Sequence, residues 1–397
     1  MSKAIPRVQL WMLAVFTFSG TLAMHIFVPA LAMAGKDLGA SNASMQMTVS
    51  LYILGLAGGQ LVYGPLSDRF GCRPVLMGGL FIYTLAGLAA ALAPDAHALI
   101  AARLFQALGG CAGLVLARAI VRDTAADSSA AKRLALMNMM VMISPALAPL
   151  LGSFLAATLG WRSILVVLCL LGVANLLLAW RKLPETLPQT AALTPSRLLR
   201  DYRALFRSPR FVGYTLGGGC ATTSMYAFVA SAPFIFIDQL HRPEHEVGVY
   251  LAILVSGVWL GNAICGRLLN TVPIDCLLMG GNLLSAISVL PLLVCVLGGV
   301  MNTTLTMGLM FVFCVGAGAC SPAALTLAMS VNPQVIGSAS GLYGCTQMAI
   351  GAICTSLAGL GSSPLRAAVL VIAVACVLSQ FALRMAQSSR DPAPAAS

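Results

Sequence analysis

His25 and Arg103 are the two ionisable side chains that fall well inside long apolar stretches of this 397-residue chain. A charge at bilayer depth costs at least ~2.5 kcal/mol and ordinarily faces a cavity or a partner. A histidine there can gain and lose a proton near neutral pH, and an arginine can hold a planar fork of donors in a fixed direction. At about 1.5 Å per residue, His25 lies roughly 9 Å and Arg103 roughly 8 Å from the nearer end of its stretch, on one level. If both face one cavity, the proton balance of His25 depends on Arg103. The structural alternatives are a helix-packing hydrogen bond for the histidine and an anchoring role for the arginine. The twelve acidic residues, by contrast, all fall in loops or at helix ends.

The elements that must position these residues follow from composition. The chain is 59% hydrophobic and 9% charged, against about 25% charged in an ordinary soluble domain. That excludes a soluble enzyme, a nucleic-acid-binding module and a disordered scaffold. A crossing needs about 20 apolar residues, and runs bounded by charge, Pro or Gly predict twelve, at 9–31, 44–63, 75–93, 98–119, 134–158, 162–180, 211–237, 247–268, 276–297, 303–329, 338–360 and 366–384. The expected organisation is an all-α membrane protein: a six-helix half over 1–180, a basic linker over 181–210, a second half over 211–384 and a tail over 385–397. With both termini inside, eighteen of the 23 Lys and Arg lie on inner segments and four on outer loops (Lys36, Arg162, Arg242 and Arg366). That asymmetry predicts cytoplasmic termini and explains the net charge of +11 without nucleic acid. The first stretch resembles a secretory signal but is too long, and it reads as an uncleaved first helix.

Other patterns lose their chemistry on inspection. His241-Arg242-Pro243-Glu244-His245 matches a zinc-peptidase pattern, but Pro243 interrupts the helix that pattern requires. Gly217-Gly218-Gly219 lies in a transmembrane run, and no phosphate-binding loop is found. The twelve cysteines contain no close Cys-x-x-Cys pair and read as small packing residues. No metal or cofactor is expected, and a membrane enzyme would need a buried catalytic constellation that the sequence lacks. Small-xxx-small pairs at Gly55/Gly59, Ala148/Gly152, Gly257/Gly261 and Gly337/Gly341 predict close helix approach.

The segment after span two, Gly64-Pro65-Leu66-Ser67-Asp68-Arg69-Phe70-Gly71-Cys72-Arg73-Pro74-Val75, resembles the cytoplasmic signature of the major facilitator superfamily. Arg103-Leu104-Phe105-Gln106-Ala107-Leu108-Gly109 resembles the helix-four motif of its proton-driven antiporters, with Ala107 in the place of the usual glycine. Ser144-Pro145-Ala146-Leu147-Ala148-Pro149-Leu150-Leu151-Gly152 is similar to the helix-five motif of the bicyclomycin-resistance (Bcr/CflA) branch. Arg118-Ala119-Ile120-Val121-Arg122-Asp123 and Ser231-Ala232-Pro233-Phe234 are similar to that branch too. His25 stands where many members carry an aspartate, and Cys72 replaces a usual arginine.

The resemblance implies the major facilitator fold of twelve helices in two halves, with spans two, five, eight and eleven lining the interface between them. It also implies a proton-coupled antiporter that exports drugs or antibiotics across the bacterial inner membrane by alternating access, or else a dedicated exporter of a metabolite such as a siderophore. His25 and Arg103 become the proton-coupling candidates. Gly64, Asp68, Arg69, Gly71, Arg73, Arg122 and Asp123 form the expected conformational latch, with Asp68 near the start of helix eleven and Arg69 or Arg73 standing in for the missing arginine. Pro145, Pro149 and Gly152 carry the helix-five motif. Phe27, Tyr52, Gln106, Tyr226, Phe228 and Asn262 are candidate cavity residues. The expected partners are a small-molecule cargo, protons and the lipid bilayer, with the protein acting as a monomer.

Overall fold

A computed structural model of the chain describes residues 9–124, 127–185, 195–269, 271–299, 302–332 and 335–388. Side chains at 122–124, 127–132, 134, 135, 138, 139, 142, 195–198 and 336 are outside the description. Among the described residues twelve long helical spans run in order, with only a few residues between successive spans except six and seven. They are Leu10–Asp37, Asn42–Phe70, Cys72–Ala91, Ala96–Thr124, Asp127–Leu159, Trp161–Lys182, Pro209–Gln239, Glu244–Leu268, Ile274–Leu297, Thr303–Ser330, Ile336–Gly359 and Pro364–Ser388. Ten of them are long and apolar enough to cross a bilayer. In the fifth the strongly apolar part is the shorter Ile143–Leu159, and the eleventh is 24 residues long but dense in Gly, Ser and Thr. Large side chains such as Leu85, Phe154, Leu170, Val294 and Phe381 are exposed on the outside. Such a surface is stable against lipid and not against water.

Helices overrun the apolar stretches because charged and polar residues can continue a helix beyond the hydrocarbon layer. The clearest correction concerns the latch segment, which is not a loop. Span two stays helical through Pro65 to Phe70, span three begins at Cys72, and Gly71 alone makes the turn, at φ +91°. The predicted linker also contains a helix, Pro195–Phe206.

Spans one and seven are discontinuous. Span one is α-helical to Ile26, passes through a 3₁₀ turn at Val28–Ala30 and resumes at Leu31–Asp37. Pro29, which lacks the N–H a continuing helix would use, sits in that turn. Span seven breaks at Ser224 and ends in a π-helical turn, Phe234–Gln239, directly after Pro233.

The two halves pack alike. In each, the fourth helix (span four or ten) lies against the first, second and third of its own half. Glycine makes those approaches close. Gly55 faces the Leu104 carbonyl and Gly59 faces Cys111 between spans two and four, while Gly257 and Gly261 face the carbonyls of Phe311 and Val315 between spans eight and ten. Gly152 faces the Ile26 carbonyl within the first half. Gly55, Gly59, Gly152, Gly257 and Gly261 therefore serve packing inside each half. Spans two and eleven, and five and eight, join the halves as expected. Gln46 lies beside Gly359 and Gln60 beside Gly344, with Gly341 also near Gln60. Gly248 fits against the Pro149 carbonyl and Ser153.

Candidate functional site

Arg103 is completely buried in the first half. Its Nη1 donates to Gln106 Oε1 at 2.6 Å and its Nη2 to the Ala23 carbonyl at 2.7 Å, while Nε has no partner. The guanidinium lies 4.2 Å from the Tyr52 ring centroid and 5.3 Å from that of Phe27, so aromatic faces supply part of the stabilisation a carboxylate would give. Among the described residues no acid reaches it. The shell is itself fixed: Tyr52 donates to the Gly20 carbonyl at 2.9 Å, Tyr83 to that of Ser19 at 3.3 Å, and Phe27 packs edge-on to Trp161. The Trp161 indole and Arg162 both donate to Asp37, which ties the resumed part of span one to span six.

His25 points elsewhere. Two residues beyond Ala23 on a helix is a turn of about 200°, and the ring faces the second half, with its centroid 6.2 Å from that of Tyr226. Nδ1 is 3.0 Å from the Thr21 carbonyl, which makes Nδ1 the protonated nitrogen in the neutral form and leaves Nε2 without a protein partner among the described residues. His25 and Arg103 thus share a level, as expected, but not a cavity: one lies on the seam and the other is sealed within the half.

The remaining candidates divide accordingly. Phe27, Tyr52 and Gln106 belong to the arginine shell, and Tyr226 to the seam. Phe228 is buried edge-on to Phe236 within its own half, and Asn262 donates to its own helix at Val258. Sequence reasoning missed the polar group behind Tyr226, where Gln347 Nε2 donates to Thr222 Oγ1 at 2.8 Å and Thr223 donates to the Gln347 carbonyl at 2.9 Å. Gly351 lets span eleven close on Thr223 and Tyr226. Single neutral polar residues in long apolar runs gave no signal strong enough to find them.

At the face where span one begins and span twelve ends, the Arg69 guanidinium lies 5.1 Å from the ring centroid of its neighbour Phe70 and Arg73 donates to the Trp180 carbonyl at 2.9 Å. Arg73 is thus committed within its own half. Gly64 has open space beside it, and Asp68 occupies the last turn of span two. Gly337 and Ser338 lie in the first turn of span eleven, and the side chains of Arg122 and Asp123 lie outside the described residues. Glu185, which the sequence reading counted only as a loop acid, accepts from the backbone N–H of Cys72 at 3.1 Å and of Arg73 at 3.3 Å. A carboxylate on the first N–H groups of a helix meets both their open valences and the helix dipole. Glu185→Ala should lower stability by about 1 kcal/mol without altering insertion. Thermal unfolding in detergent measures this, and an unchanged midpoint would remove Glu185 from the turn's support.

Helix five carries Pro145 and Pro149 one turn apart. Pro149 removes the N–H that would bond back to Pro145, and its own carbonyl meets Gly248 across the seam. The same helix places Gly152 on span one, so one motif serves both faces.

Twelve spans in two similarly packed halves, with discontinuous helices meeting at the seam, define a membrane transporter rather than an enzyme. The family model of the Major Facilitator Superfamily matches residues 13–356, and the chain belongs to that superfamily. It is 32% identical over 364 residues to multidrug resistance protein D of Escherichia coli (strain K12), covering 88% of each chain. It is 30% identical over 390 residues to the MFS-type transporter YdgK of Bacillus subtilis (strain 168), covering 96% of each, and 24% identical to a bicyclomycin resistance protein homolog of Haemophilus influenzae, covering 92% of each. Among solved structures, a bacterial homolog of the human lysosomal transporter Spinster, inward-facing and unoccupied, superposes with TM-score 0.73 at 16% identity, covering 97% of this chain and 98% of that one.

Proposed function

We propose that this chain is a proton-coupled antiporter exporting drug-like compounds across the bacterial inner membrane by alternating access, working as a monomer with both termini cytoplasmic. In this reading residues 1–180 and 211–384 rock about the seam, 181–210 links them, and 385–397 is the tail. The names of relatives that confer multidrug or bicyclomycin resistance support the choice of cargo. The observation that carries the reading is His25, buried at the contact of spans one and seven with its ring 6.2 Å from that of Tyr226 and, among the described residues, no hydrogen-bond partner for Nε2. A titratable group placed where the halves part can couple its proton to their separation.

In this reading the face opposite the one where span one begins is closed. There Lys36 approaches Glu244 across the seam at 3.8 Å, and Gly248 is wedged against Pro149 and Ser153. Cargo would enter from the terminal face, held by Tyr226 and the Gln347–Thr222 group. With a histidine and neutral donors but no carboxylate among these groups, the pocket favours neutral, zwitterionic or anionic compounds. The latch residues Gly64, Asp68, Arg69, Gly71, Arg73, Arg122 and Asp123 would then govern closure of the terminal face. Arg103 acts through the shape of span one rather than by carrying the proton.

His25→Ala should abolish the dependence of transport on a pH gradient in everted membrane vesicles while leaving insertion intact. Gradient-driven transport equal to that of the unsubstituted protein would remove His25 from coupling. Deleting the protein while following drug susceptibility and secreted metabolites in parallel tests the cargo. A change confined to one secreted metabolite would make the chain a dedicated exporter.

A further inference from the structure

The helix Pro195–Phe206, between the two halves, is a second membrane-facing element. It is held on the bundle by one face: Leu205 is buried in a cluster with Phe211 and Tyr214, with Tyr202 packed against it, and the helix also touches span eleven. It cannot therefore hang free. Its end at Phe206 is three residues from Pro209, where span seven begins, so it lies at the level where the chain enters the bilayer.

The uncovered side has a definite chemistry. Leu199 is 70% and Phe206 55% exposed. Seven residues apart, they stand within about 20° of each other on the helix. Beside this apolar stripe, Arg203 follows at about 40° from Leu199, and Arg207 and Arg200 at about 80–100°. All three arginines are exposed, and among the described residues none makes an ion pair. A fixed helix at membrane level, with an apolar stripe flanked by unpaired arginines, has the form of an interfacial anchor. From these observations we infer that the helix lies in the headgroup layer, with Leu199 and Phe206 in the acyl boundary, and that Arg200, Arg203 and Arg207 bind the phosphates of anionic phospholipids. Each interfacial arginine strengthens attachment to an anionic surface about fivefold, so three give on the order of a hundredfold.

The test uses the full chain in nanodiscs of phosphatidylcholine, with and without phosphatidylglycerol. Amide hydrogen exchange of the peptide covering 199–207 is compared between the unsubstituted protein and a triple Arg200→Gln, Arg203→Gln, Arg207→Gln variant. Exchange should slow at least tenfold when phosphatidylglycerol is present, and that slowing should vanish in the variant and in high salt. Native mass spectrometry should show fewer retained phosphatidylglycerol molecules on the variant. Leu199→Ser with Phe206→Ser should weaken protection in both lipids. Protection independent of phosphatidylglycerol would overturn the assignment, as would protection that tracks protein density as self-association would, or that free inorganic phosphate reproduces. Exchange elsewhere in the bundle serves as the folding control.

Discussion

Arg103→Lys is expected to reduce transport about thirtyfold, the rate equivalent of roughly 2 kcal/mol for a lost hydrogen bond to a charged group. The guanidinium makes two divergent bonds, to Gln106 Oε1 and the Ala23 carbonyl, with its carbon 4.2 Å from the Tyr52 ring centroid. An ammonium can reach one of those acceptors but cannot reproduce the fork or the stacking. Because Ala23 is two residues from His25 and three before the break in span one, the loss should loosen the helix that aims His25 at Tyr226. Initial rates in proteoliposomes at matched protein measure the effect, and the elution profile in detergent reports folding. Unchanged rates would leave Arg103 a packing residue. Arg103→Met separates charge from geometry: it removes the uncompensated charge but leaves the Ala23 carbonyl and Gln106 without their donor. Stability should be retained better than transport.

Gly248→Val should abolish transport while preserving the fold. A side chain at Gly248 would enter space held by the Pro149 carbonyl and Ser153, across the seam. Neither half needs that contact to form, so the cost falls on the closed state of the opposite face alone. Overpacking of about 3 kcal/mol in one of two states shifts their ratio by roughly 150-fold, enough to hold that face open. Cysteine labelling from that side should rise, and turnover should stop. Gly152→Val gives the contrast, because Gly152 meets the Ile26 carbonyl inside the first half. It should reduce the amount of folded protein rather than trap a state. Normal turnover by Gly248→Val would show that the five–eight contact is not a gate.

How far the residues spoke for themselves can be judged from particular cases. Each span was legible because about twenty consecutive apolar residues satisfy a bilayer whatever their neighbours are. The common depth of His25 and Arg103 was legible for the same reason: helical rise is constant. Their separation onto different sides of span one was not, since only the neighbours of each face distinguish the seam from the interior. Gly71 could be recognised as a turn, but the helix running through Pro65 to Phe70 could not, because proline and charge ordinarily signal an end. Glu185 was invisible as a cap for Cys72 and Arg73, which lie over a hundred residues away in sequence.

Solvent preference, then, is written locally: hydropathy runs marked this chain as a multi-span membrane protein, with ten helices long and apolar enough to cross, and set the height of His25 and Arg103 along their helices. Tertiary packing decided which groups meet. It sealed Arg103 within one half, set His25 against Tyr226 in the other, and turned the small-residue pairs of spans two and eight inward to their own halves while leaving Gly341 at the seam. The physical reason is that transfer into lipid depends on a segment's own side chains, whereas a hydrogen bond or a close backbone approach needs a second segment at a specific rotation and height.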